Sequence, residues 1–349
     1  IFIFSLTGKR KLLKKVTAII VNWNDKDVII ECIQSLLDQN RNKIDIIISD
    51  NGSKDGSIEL IRGRFPSITI IENGENLGFG SALNRGLAVA KGDYLLFLNS
   101  DLKLNPKCIG ELAKLLESDS SIGGAIPKIL HIDQQNTINS LGVLINYTGI
   151  AYPNLLGQKD SGYQEPFESA CGGIFMLRRE VYETVGGFDE NLFLYHEDHD
   201  LSWRIRLAGW CLKVAPQATM YHHYKFNKGI KKYYSSEKNR IYLMLKNMEI
   251  KTLALITPAL IIVEFSQWFH AIIHRWFFLK IKSYFELLTL LPRILTKRKK
   301  QKYLRKVSDK EITRMHEGTL AVSGIANPLL THLLSPALNI YWKIVRHLI

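Results

Sequence analysis

Three short apolar runs rich in β-branched residues each end in polar residues that a buried strand cannot hold. Residues 16–21 lead into Asn22-Trp23-Asn24-Asp25, residues 44–49 into Asp50-Asn51-Gly52-Ser53-Lys54-Asp55-Gly56-Ser57, and residues 94–98 into Asn99-Ser100-Asp101. With a fourth run at 68–72 and helical stretches at 27–38, 56–64, 79–90 and 106–117, this is the pattern of βαβ units. Pro106 falls in the first turn of the last helix, where its fixed φ is tolerated. The fold class expected is α/β, a mostly parallel sheet flanked by helices. Ligands of such sheets bind outside the carboxyl ends of the strands, so three polar tips imply one shared crevice. A lone carboxylate at that edge, Asp101, is placed to hold a divalent cation against a diphosphate.

Composition narrows the class. The 349 residues, 46% hydrophobic, are enough for one large α/β domain with an appendage. Four cysteines lie far apart with no Cys-x-x-Cys pair, which argues against a zinc knuckle or a disulfide framework and for a reducing compartment. The charge of +13 is uneven: residues 225–310 carry 20 Lys+Arg against 5 Asp+Glu, leaving −2 for the rest of the chain. The start places Lys9-Arg10-Lys11 after an apolar stretch, the reverse of a secretory leader, so no export is expected.

Along the chain, residues 1–15 read as a basic segment, 16–122 as a nucleotide-binding half, 123–225 as an acceptor half, and 226–349 as a helical basic tail. In that tail residues 252–263 are free of charge but number only 12, against the roughly 20 needed to span a bilayer. Helices lying in a membrane interface are therefore expected, with Lys297-Arg298-Lys299-Lys300 facing anionic headgroups. An ordinary helical subdomain with a solvated basic face is the plainer reading.

Four motifs in this order, over roughly residues 16–225, resemble the inverting glycosyltransferases of family 2 with a GT-A fold, and more narrowly a bacterial rhamnosyltransferase-like branch. They are Val21-Asn22-Trp23-Asn24, the segment from Ser49 through Asp50 to Ser57, Asn99-Ser100-Asp101, and Gly186-Gly187-Phe188-Asp189-Glu190 leading into Glu197-Asp198-His199-Asp200. The resemblance implies that Asn22 and Asn24 meet the nucleotide base through amide donor and acceptor groups. It implies that Asp50 accepts from the base, with Ser53 and Asp55 lining the same loop. Turn propensity alone would explain those glycine-rich tetrads but not their place at a sheet edge.

Asn76, Gly78 and Asn84 belong to the segment that, by resemblance, lies beneath the nucleotide sugar; Asn84 as a plain helix-surface residue is the alternative. Gly78-Phe79-Gly80 is not a dinucleotide fingerprint, because Leu83 takes the third glycine's slot and the segment follows the third strand. Asp101 matches the last acid of the family's DXD-type motif, with Asn99 and Ser100 in the first two places. The resemblance adds a late histidine as metal contact, His222 or His223, with His222 preferred; an imidazole tilts the ion from Mg²⁺ toward Mn²⁺.

Three acids within four residues repel one another, which raises a carboxylate's pKa and suits it to accept a proton near neutrality. Capping a helix N-terminus is their structural alternative. By resemblance Asp198 is the general base and Glu197 orients the acceptor. His196 and His199 are three apart and do not match the zinc-protease spacing. Cys171, Gly172 and Gly173 read as an edge of the acceptor pocket, Cys171 as a buried small hydrophobe. Arg204 and Arg206 could meet a diphosphate, or Arg204 could pair with the acids one turn away.

The resemblance thus implies transfer of rhamnose or a hexose from a dTDP- or UDP-sugar to a hydroxyl of a glycan acceptor. The interfacial tail suggests that this glycan or polyprenyl-linked acceptor is carried on a lipid, in surface polysaccharide biosynthesis at the cytoplasmic face of the membrane. A non-catalytic nucleotide-sugar-binding scaffold is the alternative, against which the intact Glu197-Asp198 pair speaks. No nucleic-acid partner is expected, since the basic charge comes with no recognised module.

Overall fold

The computed structural model describes residues 2–4, 10–12, 14–40, 44–223, 230–320 and 334–349. Lys9 of the basic N-terminal segment and the expected boundary at residue 225 lie outside them. The chain opens with a hairpin of β1 (Phe2–Phe4) and β2 (Arg10–Leu12). Next come β3 (Val16–Asn22), α1 (Lys26–Leu37), β4 (Ile44–Asp50), α2 (Ser57–Arg64), β5 (Thr69–Glu72) and α3 (Phe79–Leu87). There follow β6 (Tyr94–Asn99), β7 (Leu102–Leu104), α4 (Cys108–Ser118), β8 (Ile122–His131), β9 (Ile138–Ser140), β10 (Val143–Asn146) and β11 (Ala151–Pro153). Then come β12 (Phe167–Glu168), β13 (Met176–Arg178), α5 (Arg179–Val185), α6 (Glu197–Leu207) and β14 (Cys211–His222). The tail holds α7 (Ile230–Asn247), α8 (Ile250–Ile273), α9 (Phe277–Leu304), α10 (Asp309–Thr313), β15 (His316–Glu317) and α11 (Ser335–Val345).

One sheet runs β12-β14-β8-β13-β6-β3-β4-β5, with β7 joined to β14 and β9 to β8. Strands β6, β3, β4 and β5 are parallel, as the alternation of strands and helices requires. Beyond them the sheet is mixed. β13 is antiparallel to both β6 and β8, while β14 is parallel to β8 and antiparallel to β7 and β12. The reason is local: between β8 and β13 the described chain contains no helix to carry it back across the sheet, so β13 returns in the opposite direction.

The strands are apolar on both faces because both are covered. In β3, Val16, Ala18 and Ile20 enter one core with α1, α2 and α4, while Ile19 and Val21 enter the other with α3, α5 and α6. Tyr94, Leu96 and Leu98 alternate with Leu95 and Phe97 in the same way along β6. Each such large side chain, fully buried, contributes about 1.5–3 kcal/mol. α3 approaches β3 so closely that a Cβ on Gly86 would collide with the Ile19 side chain. The helix expected from Pro106 begins later, at Cys108. Asn105 makes the turn instead, its carbonyl accepting from Cys108 N–H at 2.9 Å and its Oδ1 from Lys107 N–H at 3.2 Å.

Two registers set the geometry of the carboxyl edge. Met176 of β13 lies opposite Leu96 of β6, and the Phe97 N–H donates to the Phe175 carbonyl at 3.3 Å. On the other side of Asp101, His222 lies opposite Leu102, and the His223 N–H donates to the Asp101 carbonyl at 3.0 Å.

The tail does not stand apart from this core. Ile256, Ala259 and Val263 of α8 and Leu243 and Met244 of α7 share an apolar cluster with Trp203 and Leu207 of α6. α8 runs 24 residues, twice the charge-free stretch counted in the sequence, because Glu264 stays in the helix with its charge answered by Arg240 and Lys280. By length and composition it is the one helix among the described residues that could cross a membrane. Of the basic run, Lys297 bonds Asp189 and Arg298 donates to the Leu245 carbonyl at 2.6 Å, so half of the headgroup-facing charge expected there is turned inward.

Candidate active site

The tips of β3 and β4 are tied to one another. Asn22 is fully buried, and its amide nitrogen donates to Asp50 Oδ1 at 2.8 Å and Ser57 Oγ at 2.9 Å. Asp50 also accepts from the Ser53 N–H at 2.9 Å and the Ser53 hydroxyl at 2.6 Å. Asn24 adopts a left-handed φ of +56°, which Asn tolerates, and its Oδ1 accepts from the Lys54 N–H at 2.8 Å. Asp55 caps the neighbouring turn, accepting from the Lys26 and Ser57 N–H groups. The paired amides expected to meet a base are therefore engaged in shaping the loop. Asn22 Oδ1 keeps no hydrogen-bond partner among the described residues.

Asn76 Oδ1 accepts from the Gly78 N–H at 2.9 Å, and Gly78 has a φ of +84° with the Phe193 carbonyl pressed where a Cβ would sit. Only glycine fits that position. Asn84 does not open toward a ligand: its Oδ1 accepts from the Phe188 N–H at 2.8 Å and its amide donates to the Phe188 carbonyl at 2.9 Å. This corrects the expectation for Asn84, which fastens the loop leading to the acid cluster. Arg204 and Arg206 are likewise spent. Arg204 donates to Asp200 Oδ2 at 2.9 Å and to the carbonyls of Val185 and Gly187, and Arg206 to the Ile312 carbonyl.

At the tip of β6, Asn99 is partly exposed and Ser100 donates its hydroxyl to Asp25, a contact that sequence reasoning missed although Asp25 directly follows the first strand tip. Asp101 Oδ2 lies 3.1 Å from His222 Nε2, whose Nδ1 faces Asn139 Oδ1 at 3.1 Å. Asp101 Oδ1 is buried and has no hydrogen-bond partner among the described residues. His223 turns elsewhere, to Glu31 at 2.9 Å. A carboxylate and an imidazole so arranged can give two ligands to a divalent cation, with His222 rather than His223 in reach. Among the described residues no group of three or more His, Cys, Asp or Glu could hold a metal by itself.

Glu197 and Asp198 open α6, whose N-cap His196 and preceding Tyr195 have left-handed φ values of +68° and +66°. Such backbone costs free energy and persists only where the surroundings hold it. Burial pushes both carboxyls above the ordinary carboxylate range, and the neighbouring Asp198 charge pushes Glu197 further still. Glu197 Oε2 has no partner among the described residues, whereas Asp198 Oδ2 faces the Cys171 thiol at 3.8 Å. Asp198 is the more open of the two. Gly173 lies beside it, where an added Cβ would be in ordinary contact, 3.7 Å from Asp198 Oδ2. Gly172 is packed, donating to Ser202 Oγ at 3.3 Å. His196 and His199 face each other through Nδ1 at 3.2 Å, and burial lowers both pKa values, which keeps the rings neutral.

A Cβ on Gly80, in the first turn of α3, would lie 3.4 Å from Glu197 Cβ, so the acid pair sits at the carboxyl edge of the parallel strands, the edge at which Asp101 follows β6. A buried carboxyl whose folded pKa is raised binds its proton more tightly folded than unfolded, so its contribution to stability falls as pH rises above the free value of 4.5. Glu197→Gln is therefore expected to raise the melting temperature by about 1–3 °C at pH 8 and by less at pH 5, measured by thermal denaturation; a gain independent of pH would contradict a protonated Glu197.

Residues 17–186 match the family model of glycosyl transferase family 2, and residues 155–227 match that of the N-terminal domain of galactosyltransferase. An N-acetylglucosaminyl-diphospho-decaprenol L-rhamnosyltransferase of Mycobacterium tuberculosis is 26% identical over 213 residues, covering 53% of this chain and 68% of that protein. A poly-beta-1,6-N-acetyl-D-glucosamine synthase of Staphylococcus aureus is 26% identical over 212 residues, covering 59% of this chain and 49% of that protein. Among solved structures, GalNAc-T7 with UDP, GalNAc and Mn²⁺ superposes with a TM-score of 0.58 at 17% identity, over 71% of this chain and 51% of that one, a likeness of fold. The matched residues 17–186 give this chain a domain of glycosyl transferase family 2, and the parallel β3–β6 core with its mixed extension has the GT-A fold.

Proposed function

We propose that the protein is an inverting transferase that moves a sugar, rhamnose or a hexose, from a dTDP- or UDP-linked donor to a hydroxyl of a glycan acceptor. The observation that carries this reading is the buried Glu197-Asp198 pair set at the same sheet edge as Asp101. Asp198 accepts the proton of the incoming hydroxyl, and Glu197, still protonated, donates a hydrogen bond that orients it. The strand tips from Asn22 to Asp55 and the Asn76–Gly78 turn form the walls that hold the nucleotide. Holding donor and acceptor in line supplies a large part of the acceleration.

Asp101 and His222 would hold a divalent cation, Mn²⁺ or Mg²⁺; the orphaned Asp101 Oδ1 and its imidazole neighbour fit that role, with diphosphate oxygens and water completing the shell. Such an ion, when bound, neutralises the departing diphosphate.

A lipid-linked acceptor is supported by the named substrate of the mycobacterial relative and by the tail. α8 exposes Phe265, Phe269 and Ile272, and α9 exposes Phe278, Phe285 and Leu288, while the opposite face of α8 is packed against α6. A helix so tied lies along a bilayer surface rather than through it, which favours a peripheral protein on the cytoplasmic leaflet.

Asp198→Asn is expected to lower kcat by at least about 10²-fold while nucleotide affinity stays within twofold, since a positioned base contributes about 10²–10⁴; activity within tenfold of wild type refutes the assignment. Asp101→Ala should weaken nucleotide binding in calorimetry about tenfold with Mn²⁺ present and not at all without it; equal affinity in both removes Asp101 from the shell. Replacing Phe265, Phe269, Phe278 and Phe285 by Ser should abolish co-sedimentation with vesicles containing anionic lipid, and unchanged pelleting would rule out this face.

A further inference from the structure

The tail helix α7 carries a line of polar side chains that the proposed chemistry does not use and that solvent does not reach. Asn239, Tyr242, Lys246 and Asn247 are each at most 2% exposed. Their spacing puts them on one helical face, and every one of them reaches into residues 189–200.

Asn239 donates to the carbonyls of Leu194 and Tyr195, both at 2.9 Å. These are the peptides at the left-handed Tyr195-His196 pair that aims the first turn of α6. Tyr242 donates its hydroxyl to Asp189 Oδ2 at 3.0 Å. Lys246 bridges two carboxylates, Asp189 Oδ2 at 2.7 Å and Asp200 Oδ1 at 2.5 Å, and Asn247 donates to Asp200 Oδ1 at 2.9 Å. Asp200 is wholly buried on the same helical turn as Glu197 and Asp198, and Asp189 ends the glycine-rich loop that Asn84 fastens from below.

We propose that α7 is a positioning element of the active site: Asn239 and Lys246 hold the strained 194–196 backbone and the first turn of α6, and so aim Asp198 at the acceptor. This rests on Asp198 being the base. The physical case is that two left-handed non-glycine residues in succession relax unless their peptides are held, and that two buried carboxylates beside a third and fourth need a cation to stay in place. Lys246 is that shared cation, supplied by the tail, with Arg204 on the Asp200 side and Lys297 on the Asp189 side. The nucleotide-holding tips of β3 and β4 lie on other elements and make none of these contacts. The tail is thereby part of the catalytic machinery as well as a surface.

The test is steady-state kinetics on the full chain. Asn239→Ala, which leaves every ion pair intact, is expected to lower kcat about 30- to 100-fold, the scale of an ångström's misplacement, with donor KM and nucleotide affinity within threefold. Lys246→Met should do the same or more, and Lys246→Arg should recover at least tenfold of that loss. A kcat within threefold of wild type for Asn239→Ala overturns the proposal, as does a parallel loss of nucleotide affinity, which would mark general damage. Should Lys246→Met fail to fold, Asn239→Ala decides alone. Asp198→Asn run alongside separates the two readings: an active Asp198→Asn sinks the base assignment, whereas an inactive one beside a wild-type-like Asn239→Ala sinks only the clamp.

Discussion

The antiparallel entry of β13 between β6 and β8 is the constraint on which the site depends. The parallel strands β3 to β6 could by themselves present three polar tips, yet nothing in them would bring an acid pair from a hundred residues later to the same edge. β13 does so because its pairing with Leu95 and Leu96 fixes where Cys171 to Gly173 lie, and those residues back Asp198. A one-residue slip would turn Met176 and Leu177 to the wrong faces of a sheet buried on both sides. Core packing therefore enforces the register that the chemistry uses.

Burial then supplies the electrostatics. The same closure that removes Glu197 and Asp198 from water raises their pKa values, so the site gains a proton acceptor suited to neutral pH at a cost in stability. Asp200, two residues on, is driven the other way, chiefly by Lys246 and Arg204, whose charges outweigh its burial. Adjacent carboxylates on one helical turn thus take opposite roles because of what faces them. One is exposed to a glycine-lined edge, the other is locked into an ion-pair network.

Much of the first half was legible. Apolar runs of five to seven residues ending in Asn or Asp specify strands buried on both faces, and the alternation with helices specifies parallel pairing; the observed bounds of β3, β4, β5 and β6 differ from the expected ones by a residue each. The nearness of His222 to Asp101 was anticipated through the family resemblance, which puts a histidine of this late segment at the metal, and not through any local pattern. For Arg204 the pairing with the acids one turn away, weighed beside a diphosphate contact, is the one observed, whereas Asn84 and Lys297 were misjudged for one reason. A polar residue on a helix reads as solvent- or ligand-facing, and only the fold reveals a backbone carbonyl or carboxylate waiting opposite it. Asn239 and Lys246 escaped notice for the same reason, since in sequence they belong to a basic helix.

The sequence by itself determined the local periodicities: where strands end, which residues cannot be buried in them, and that acids cluster at the start of a helix, because these follow from side-chain chemistry within a few residues. Tertiary structure alone decided which of those polar groups face a crevice and which face each other, along with the direction of β13 and the inward turn of the tail's cations. Those outcomes depend on desolvation and on contacts between residues far apart in the chain, such as Lys246 with Asp189 and Asp200, and no local pattern encodes them.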